Sequence, residues 1–238
     1  MQGMKELINA MTSDPSNYPS DWLRAMLSAF KQMTGLEPPA DTNDLSRHPT
    51  TAACLEAYAK AVERNEPFTD ILGVCYMELA GTWKQSSLGQ FFTPQNVAVM
   101  MASMCGVTAV SQERLTRVMD PACGSGCMLL SYMQVVHKMG QPGELKEFLF
   151  AGVDLDPVCA DMTAVQILAN CNMHQLEVGE LIVVCGNSLM PWEAWRPVVH
   201  AMAKGNTATV NPNGEAFWKA ISESAAKQDQ LKLFEEAA

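Results

Sequence analysis

Residues 117–132 decide the fold of this chain, and they read RVMDPACGSGCMLLSY. A short apolar lead-in ends at Asp120, a turn of small residues follows Pro121, and an amphipathic run begins at Cys127. This order predicts a strand, a glycine turn and a helix. In such a unit the glycines let the backbone approach a ligand closely, and the first amide groups of the helix point towards that ligand.

The glycine turn differs from the turn that binds dinucleotides. A dinucleotide-binding fold needs the pattern G-x-G-x-x-G, whereas Gly124-Ser125-Gly126 is followed by CML, so the third glycine is absent. We therefore do not expect a pyrophosphate ligand.

The composition indicates an acidic globular protein. With 238 residues, of which 48% are hydrophobic, the chain fits one large domain or one domain with a helical appendage. Its net charge of −10 argues against a broad phosphate-binding surface, because nonspecific DNA affinity comes mainly from Lys and Arg. If DNA is the substrate, we expect it to be gripped largely through a partner subunit.

The cysteines indicate a reducing compartment. Several of the eight lie in apolar runs, as Cys75 and Cys185 do, which is typical of reduced thiols in a cytoplasmic protein. Cys123 and Cys127 flank the glycine turn without a second Cys or His pair at metal-ligand spacing, so no metal is predicted. We also expect no membrane association, because no signal peptide is indicated and no apolar stretch approaches the ~20 residues that span a bilayer.

Three helices are predicted in residues 1–88, and a fourth is predicted from Pro94 to Met104 before the glycine turn. The first three run from about Ser20 to Met33, from about Thr50 to Arg64, and from about Thr69, as N-cap, to Trp83. Residues 1–20 are polar and contain the breakers Asp14-Pro15 and Tyr18-Pro19.

Two more strands are predicted after the glycine turn. The first covers residues 148–153 and ends at Asp154, where an acid is placed to accept hydrogen bonds from ribose hydroxyls. Asp156 is expected to cap the following helix, residues 157–171. The next strand covers residues 181–185 and runs into Gly186 and Asn187.

Four elements follow one another in the order of a known family. They are GQFFTP at residues 89–94, DPACGSG at residues 120–126, the acid Asp154, and GNSL at residues 186–189. With them, residues 88–189 resemble the adenine-N6 DNA methyltransferases, most closely the modification subunits of type I restriction-modification systems. The resemblance implies an α/β fold with a Rossmann-like parallel sheet, and S-adenosyl-L-methionine (SAM) as cofactor.

The resemblance also implies a set of cofactor-binding residues. These are Phe91, Phe92, Thr93, Asp120, Ala122, Cys123, Gly124, Ser125, Gly126, Asp154, Leu155, Asn187, Ser188 and Leu189. In the family the aromatic and Thr positions line the pocket for methionine and adenosine, the acid binds the ribose, and the residue at Asn187 reads the adenine ring. The alternative is that Phe91 and Phe92 are core aromatics and that Thr93 caps a helix with Pro94 at its first position.

The resemblance breaks at the target-base motif. The family places a fourth strand before Asn-Pro-Pro-Tyr or Asn-Pro-Pro-Phe, which stacks the flipped adenine and accepts hydrogen bonds from its amine. The nearest match here is Asn211-Pro212, but Asn213 and Gly214 stand where the second proline and the aromatic are expected. Asn211 and Pro212 are the catalytic candidates, and a surface turn before a terminal helix is the alternative.

We expect three regions: a helical region at 1–88, a SAM-binding methyltransferase-like core at 89–210 and a helical tail at 211–238. The residues after Asn211 are too few for the remaining strands of a complete sheet, so the sheet is expected to be incomplete. Its open edge is covered by the terminal helices, or a protein partner or homo-oligomer completes it.

Three functions are compatible with these features. The first is adenine-N6 DNA methylation that depends on the variant Asn211-Pro212 site or on a partner. The second is a catalytically silent relative that acts by binding, as a regulatory or anti-restriction protein. The third is SAM-dependent methylation of RNA or protein.

Overall fold

The structure is a computed structural model that describes residues 1–36, 44–80, 92–106, 115–139, 144–191 and 194–202. The N-terminal helices are α1 (Met4–Thr12), α2 (Pro19–Met33), α3 (Pro49–Arg64) and α4 (Ile71–Ala80). Strands and helices then alternate as α5 (Gln95–Cys105), β1 (Thr116–Asp120), α6 (Cys127–Lys138), β2 (Phe148–Asp154), α7 (Pro157–Met173), β3 (Glu180–Cys185) and β4 (Arg196–Met202). Short 3-10 helices span Asp44–Arg47 and Glu144–Glu147.

The sheet has the order β1-β2-β3-β4. β1 pairs in parallel with β2, and β2 pairs in parallel with β3. Asp120 lies opposite Gly152, and Asp154 lies opposite Cys185, so the carboxyl ends of three strands meet at one edge. Ligands of open parallel sheets bind beyond this edge. The predicted α/β fold with a largely parallel sheet is confirmed.

The sheet contains a fourth strand that was not predicted. β4 pairs with β3 in antiparallel orientation, at residues for which no strand was predicted. The physical reason is the short connection, residues 186–195, because a parallel crossover needs about a dozen residues or more. The strand expected before Asn211 and the tail at 211–238 lie outside the described residues.

Residues 1–36 and 44–80, the described part of the N-terminal region, form four α-helices, one more than the three predicted. α1 buries Met4, Leu7 and Met11 against the other helices, a spacing that the surrounding polar residues concealed in the sequence. α2 and α3 begin at Pro19 and Pro49, one residue before the predicted starts, because proline is favoured at the first helical position.

α4 begins differently from the prediction. Thr69 is not its N-cap, because the Thr69 hydroxyl donates instead to the carbonyl oxygen of Glu66 at 2.7 Å. The helix begins at Ile71, and Oδ1 of Asp70 accepts a hydrogen bond from the amide of Gly73 at 2.8 Å. Asp70 therefore satisfies an amide of the first turn.

α7 joins the helical region to the sheet. It contacts α2, α3 and α4 on one side and β2, β3 and β4 on the other. Its buried surface is mostly apolar, yet four polar side chains are also buried along it: Asp161, Thr163, Gln166 and Asn170. These four side chains determine how the helical region meets the carboxyl edge of the sheet.

Candidate functional site

The glycine loop, residues 121–126, connects β1 to α6 at the carboxyl edge of the sheet. Gly124 and Gly126 have φ angles of +56° and +92°, which glycine adopts without steric cost. A Cβ atom at Gly126 would lie 3.0 Å from Oγ1 of Thr163 and 3.2 Å from its Cα. The loop backbone therefore lies directly on α7, and a side chain at Gly126 would separate them.

Asp154 connects the end of β2 to this loop. Its Oδ2 accepts a hydrogen bond from the amide of Gly124 at 2.7 Å, and its Oδ1 accepts one from the amide of Asp156 at 2.9 Å. The amide of Cys123 donates to the carbonyl oxygen of Val153 at 2.9 Å. Each carboxylate oxygen has two lone pairs, so Asp154 retains capacity to accept from a ligand hydroxyl.

Asp120 provides a second carboxylate at the same edge. Its Oδ1 accepts a hydrogen bond from the amide of Ala122 at 3.0 Å. Burial raises the pKa of Asp120, the bond from Ala122 lowers it, and the negative charge of Asp154 raises it further. The two acids are thus electrostatically coupled across the glycine loop.

Phe92 covers the other side of the loop. A Cβ atom at Gly124 would lie 3.0 Å from two carbons of the Phe92 ring, so the ring contacts the loop backbone. The Tyr76 ring lies beside it, with centroids 5.3 Å apart. Phe91 lies outside the described residues.

The alternative role for Thr93 as a helix cap is wrong. α5 begins at Gln95, and Pro94 occupies the N-cap position. The carbonyl oxygen of Pro94 accepts hydrogen bonds from Val97 and Ala98, which begins the helix without a side-chain cap. Thr93 is exposed beside Phe92.

Asn187, Ser188 and Leu189 follow the end of β3. The amide of Gly186 donates to the carbonyl oxygen of Asp154 at 2.8 Å, which fixes this segment next to the second strand. Oδ1 of Asn187 accepts from the amide of Leu189 at 3.0 Å. Leu189 and Leu155 expose 91% and 71% of their surfaces, so two apolar side chains stand at this edge without cover from the described residues.

Two loop side chains point away from the edge. The hydroxyl of Ser125 is buried and donates to Oδ2 of Asp70 at 2.8 Å. The thiol of Cys123 is buried beside Thr163, and burial raises its pKa to about 12. Cys123 and Ser125 therefore offer a ligand their backbone rather than their side chains. Ala122 and Gly124 are more accessible.

The structure therefore brings together Phe92, Asp120, Gly124 and Asp154, with the segment of Asn187 on the adjoining strand. The catalytic candidates Asn211 and Pro212 lie outside the described residues. Sequence reasoning missed four residues that surround the loop: Asp70, Tyr76, Thr163 and Gln166. Polar residues at 163, 166 and 170 in an otherwise apolar helix were the signal that could have indicated three-dimensional contacts with the loop.

The chemistry of these residues fits SAM. None of the candidate site residues that the structure describes is basic, whereas two are carboxylates and one is an aromatic ring. Such a set suits a ligand that carries hydroxyl and amine donors and a positive sulfonium rather than a phosphate. The glycine loop allows close approach of a ligand to the backbone.

The described ranges offer neither a metal centre nor a membrane-spanning helix. No group of three or more His, Cys, Asp or Glu side chains in these ranges is arranged to hold a metal ion. Within the same ranges, no helix has the length and apolar character needed to span a bilayer.

The chain is similar to a known protein family and to a solved structure. Residues 68–232 match the family described as N-6 DNA Methylase, which implies SAM as the cofactor. A structure assigned as a class I S-adenosylmethionine-dependent methyltransferase from Listeria monocytogenes matches with 14% identity and a TM-score of 0.47. That match covers 80% of this chain and 55% of the Listeria chain. Because the family match spans well over half of the sequence, the chain belongs to the N-6 DNA methylase family.

Proposed function

We propose that this protein binds SAM at the carboxyl edge of the sheet and takes part in N6 methylation of adenine in DNA, in the manner of a type I modification subunit. The observation that carries the proposal is the hydrogen bond between the amide of Gly124 and the carboxylate of Asp154. It joins the glycine loop to the acid at the end of the second strand, within a chain of the N-6 DNA methylase family.

Each candidate residue has a proposed role in this site. Asp154 accepts from the ribose hydroxyls, and Asn187 with Ser188 reads the adenine ring of the cofactor. Phe92 and Thr93, with Phe91, line the side towards methionine and adenosine. Leu155 and Leu189 supply apolar walls, which their exposure leaves free to contact a ligand. Asp120 and the loop backbone from Ala122 to Gly126 contact the central part of the cofactor.

When bound, SAM would supply a methyl group on a positive sulfonium for N6 of adenine, with the displaced amine proton passing to solvent. The protein must hold the target amine close to this methyl group, since orientation supplies much of the catalysis. We propose that Asn211 and Pro212 accept hydrogen bonds from the amine. Asn213 and Gly214 stand in place of the usual proline and aromatic, so stacking of the base depends on another group.

We propose that a DNA-binding partner subunit supplies the DNA contacts that this chain lacks. The net charge of −10 makes the chain a poor DNA ligand by itself and a suitable partner for a basic subunit.

Among the described residues, β1 pairs only with β2, so one of its edges lacks a neighbouring strand. α5 exposes Val97, Met100 and Met104. An open strand edge and an exposed apolar helix face are typical of protein interfaces.

The partner surface is tested with Met100→Asp and Met104→Asp. These variants should bind SAM normally but fail to form a complex with a purified basic specificity subunit, as measured by light scattering after size exclusion. A stable dimer of this chain alone that the same substitutions disrupt would replace the subunit with a second copy. An undiminished complex would exclude the α5 face.

A catalytically silent binding protein is the second candidate. The departure from the family pattern at Asn213 and Gly214 favours it, because both groups that normally orient the base are replaced. The protein would then bind SAM and act by association, as a regulatory or anti-restriction protein.

Methyl transfer separates these two functions. Purified protein is incubated with radiolabelled SAM and unmethylated DNA, with and without a specificity subunit, and SAM occupancy is measured in the same sample. Adenine N6 methylation that Asn211→Ala abolishes supports the enzyme. Full SAM occupancy without transfer under both conditions supports the silent protein.

The cellular location that we propose is the cytoplasm. All eight cysteines are free thiols, which fits a reducing compartment. A fraction of the protein recovered outside the cytoplasm with oxidised thiols would contradict this location.

A further inference from the structure

Behind the glycine loop lies a buried polar cluster, and Asp70 is at its centre. Asp70 is 3% exposed and precedes α4. Its Oδ2 accepts a hydrogen bond from the hydroxyl of Ser125 at 2.8 Å, and its Oδ1 accepts from Nε2 of Gln166 at 2.7 Å. One carboxylate from the helical region therefore holds both the loop and α7.

Gln166 completes the connection. Its Nε2 also donates to the carbonyl oxygen of Ser125 at 2.8 Å. Its Oε1 accepts from the amides of Ile71 and Leu72 at 2.8 and 2.9 Å, which are the first amides of α4. Ser125 is thus held through its hydroxyl by Asp70 and through its carbonyl by Gln166.

The turn before Asp70 is held in a conformation that costs free energy. Phe68 has a φ angle of +63°, which a bulky residue rarely adopts because its side chain is strained there. The side chain of Asn170 accepts a hydrogen bond from the amide of Phe68 at 2.6 Å. The side chain of Gln95 donates to the carbonyl oxygen of Phe68 at 3.0 Å. The Gln95 side chain also accepts from the amide of Asp70 at 3.0 Å. These bonds fix the position from which Asp70 reaches the loop.

The cluster lies directly against the backbone of Gly73 in α4. A Cβ atom at Gly73 would lie 2.3 Å from Oδ2 of Asp70 and 2.5 Å from Oγ of Ser125. The described donors to the Asp70 carboxylate include a hydroxyl, a side-chain amide, a backbone amide and the thiol of Cys127, all uncharged. Burial of a carboxylate with neutral donors only is costly, so stability alone does not explain its presence.

We propose that Asp70 is a positioning residue for cofactor binding. It fixes Ser125, and through the backbone it fixes Gly124 in the orientation in which the Gly124 amide faces Asp154. The helical region thereby sets the affinity of the loop for its ligand. This inference rests on the proposed function only in taking SAM as that ligand.

The test compares Asp70→Ala, Ser125→Ala and their double variant with Asp70→Asn. The dissociation constant for SAM is measured by calorimetry at a temperature at which every variant is folded. Asp70→Ala should weaken SAM binding by about tenfold, since buried acceptors lost from a network cost about 1–3 kcal/mol. In the double variant, the fold-loss of SAM affinity should be much smaller than the product of the two single fold-losses. The reason is that each single variant already removes the same hydrogen bond between Asp70 and Ser125.

Asp70→Asn provides the conservative rescue. Its Oδ1 can accept from Gly73 and Gln166 as before, and its amide can donate to the Ser125 hydroxyl, which turns to accept. SAM affinity should stay within about threefold of the wild type, since these hydrogen bonds are kept. A loss as large as that of Asp70→Ala would overturn positioning by hydrogen bonds.

The matched control is Thr51→Val. Thr51 is also buried, and its hydroxyl donates to the carbonyl oxygen of Leu45 at 2.6 Å rather than to the loop. This variant should lower the melting temperature without changing SAM affinity. An equal loss of SAM affinity in Thr51→Val would show that Asp70 acts through general stability.

Amide hydrogen exchange of the ligand-free protein separates this inference from the proposed function. Asp70→Ala should speed exchange in the peptide that contains residues 122–130, and Thr51→Val should not. Unchanged exchange there would overturn the positioning role, whether or not SAM binds. Faster exchange in a protein that does not bind SAM would overturn the proposed ligand and leave the positioning role intact.

Discussion

The carboxylate of Asp154 accepts a hydrogen bond from the backbone amide of Gly124 at 2.7 Å, although thirty residues separate them in the chain. The bond connects the end of β2 to the turn that follows β1. It brings two elements of a sequence pattern into one cluster, with Phe92 over the loop and Asp120 beside it. The predictions below follow from this cluster and from the packing that supports it.

Asp154→Asn should weaken SAM binding less than Asp154→Ala. Asn keeps one acceptor oxygen, so one of the two bonds from Gly124 and Asp156 survives, whereas Ala removes both. Hydrogen bonds to a charged group contribute about 1.5–3 kcal/mol, so the Ala variant should lose about 10- to 100-fold in affinity. Calorimetry on both variants checks this order, and equal affinities for Ala and wild type would contradict the ribose role.

Asp120→Asn should stabilise the ligand-free protein at pH 7. Burial and the charge of Asp154 raise the pKa of Asp120 above 3.8, so the folded state favours the neutral acid and its ionisation lowers stability. We expect a rise in melting temperature below the roughly 2–4 °C that 1 kcal/mol gives in a domain of this size. The gain should shrink as the pH is lowered towards 3.8, because the wild-type acid then becomes neutral as well.

The same substitution should weaken SAM binding, since it removes a negative charge near the sulfonium. Thermal unfolding at several pH values and calorimetry at pH 7 measure the two effects. A lower melting temperature at pH 7, or unchanged affinity, would show that Asp120 is an ordinary structural acid.

Gly126→Ala should destabilise the protein and weaken SAM binding. The new Cβ would lie 3.0 Å from Oγ1 of Thr163 and would separate the loop from α7. Gly35→Ala is the matched control, because Gly35 also has a positive φ angle of +76° but has no atom within 4 Å of such a Cβ. Both variants should lose about 1 kcal/mol or more of unfolding free energy from backbone strain, measured by urea denaturation.

Only Gly126→Ala should also lose SAM affinity, by about tenfold or more. Equal SAM binding by the two glycine variants would indicate that the contact between the loop and α7 is not needed for the site.

Removing one partner of the buried ion pair between Lys31 and Asp161 should strongly destabilise the interface of the helical region with α7, whereas replacing both partners should not. The two groups are 2.8 Å apart, and their side chains are 1% and 4% exposed. Lys31→Met leaves a buried carboxylate unpaired, which should cost about 3–5 kcal/mol of unfolding free energy in urea denaturation. Lys31→Met combined with Asp161→Leu should recover most of this loss. A small effect of the single variant would show that water reaches the pair.

The alternation of strands and helices from β1 to β3 was predictable from the sequence. The apolar runs are short, bounded by Gly and Asp, and followed by helical periodicity, so the predicted ends agree within about two residues. Asp156 caps α7 as expected, with its Oδ1 accepting from the amide of Val158 at 2.9 Å. The clustering of residues at the ends of the strands was also predictable, because parallel strands align their carboxyl ends.

The parts of the fold and of the site that were not predicted depend on contacts that sequence patterns do not encode. β4 was not predicted as a strand, although the short connection of residues 186–195 favours antiparallel pairing with β3 once a strand forms there. The cluster of Asp70, Ser125 and Gln166 joins three segments that are far apart in the chain. Each residue has a common local role, as a cap, a turn residue or a helix residue, so nothing local distinguishes it.

The most direct test is a calorimetric titration of the purified wild-type protein with SAM. We predict saturable binding of one SAM per chain with a dissociation constant in the millimolar range or below, and a matching rise in melting temperature. A folded protein that shows neither heat of binding nor a thermal shift at millimolar SAM, and that co-purifies with no nucleoside, would contradict a SAM site formed by Gly124 and Asp154.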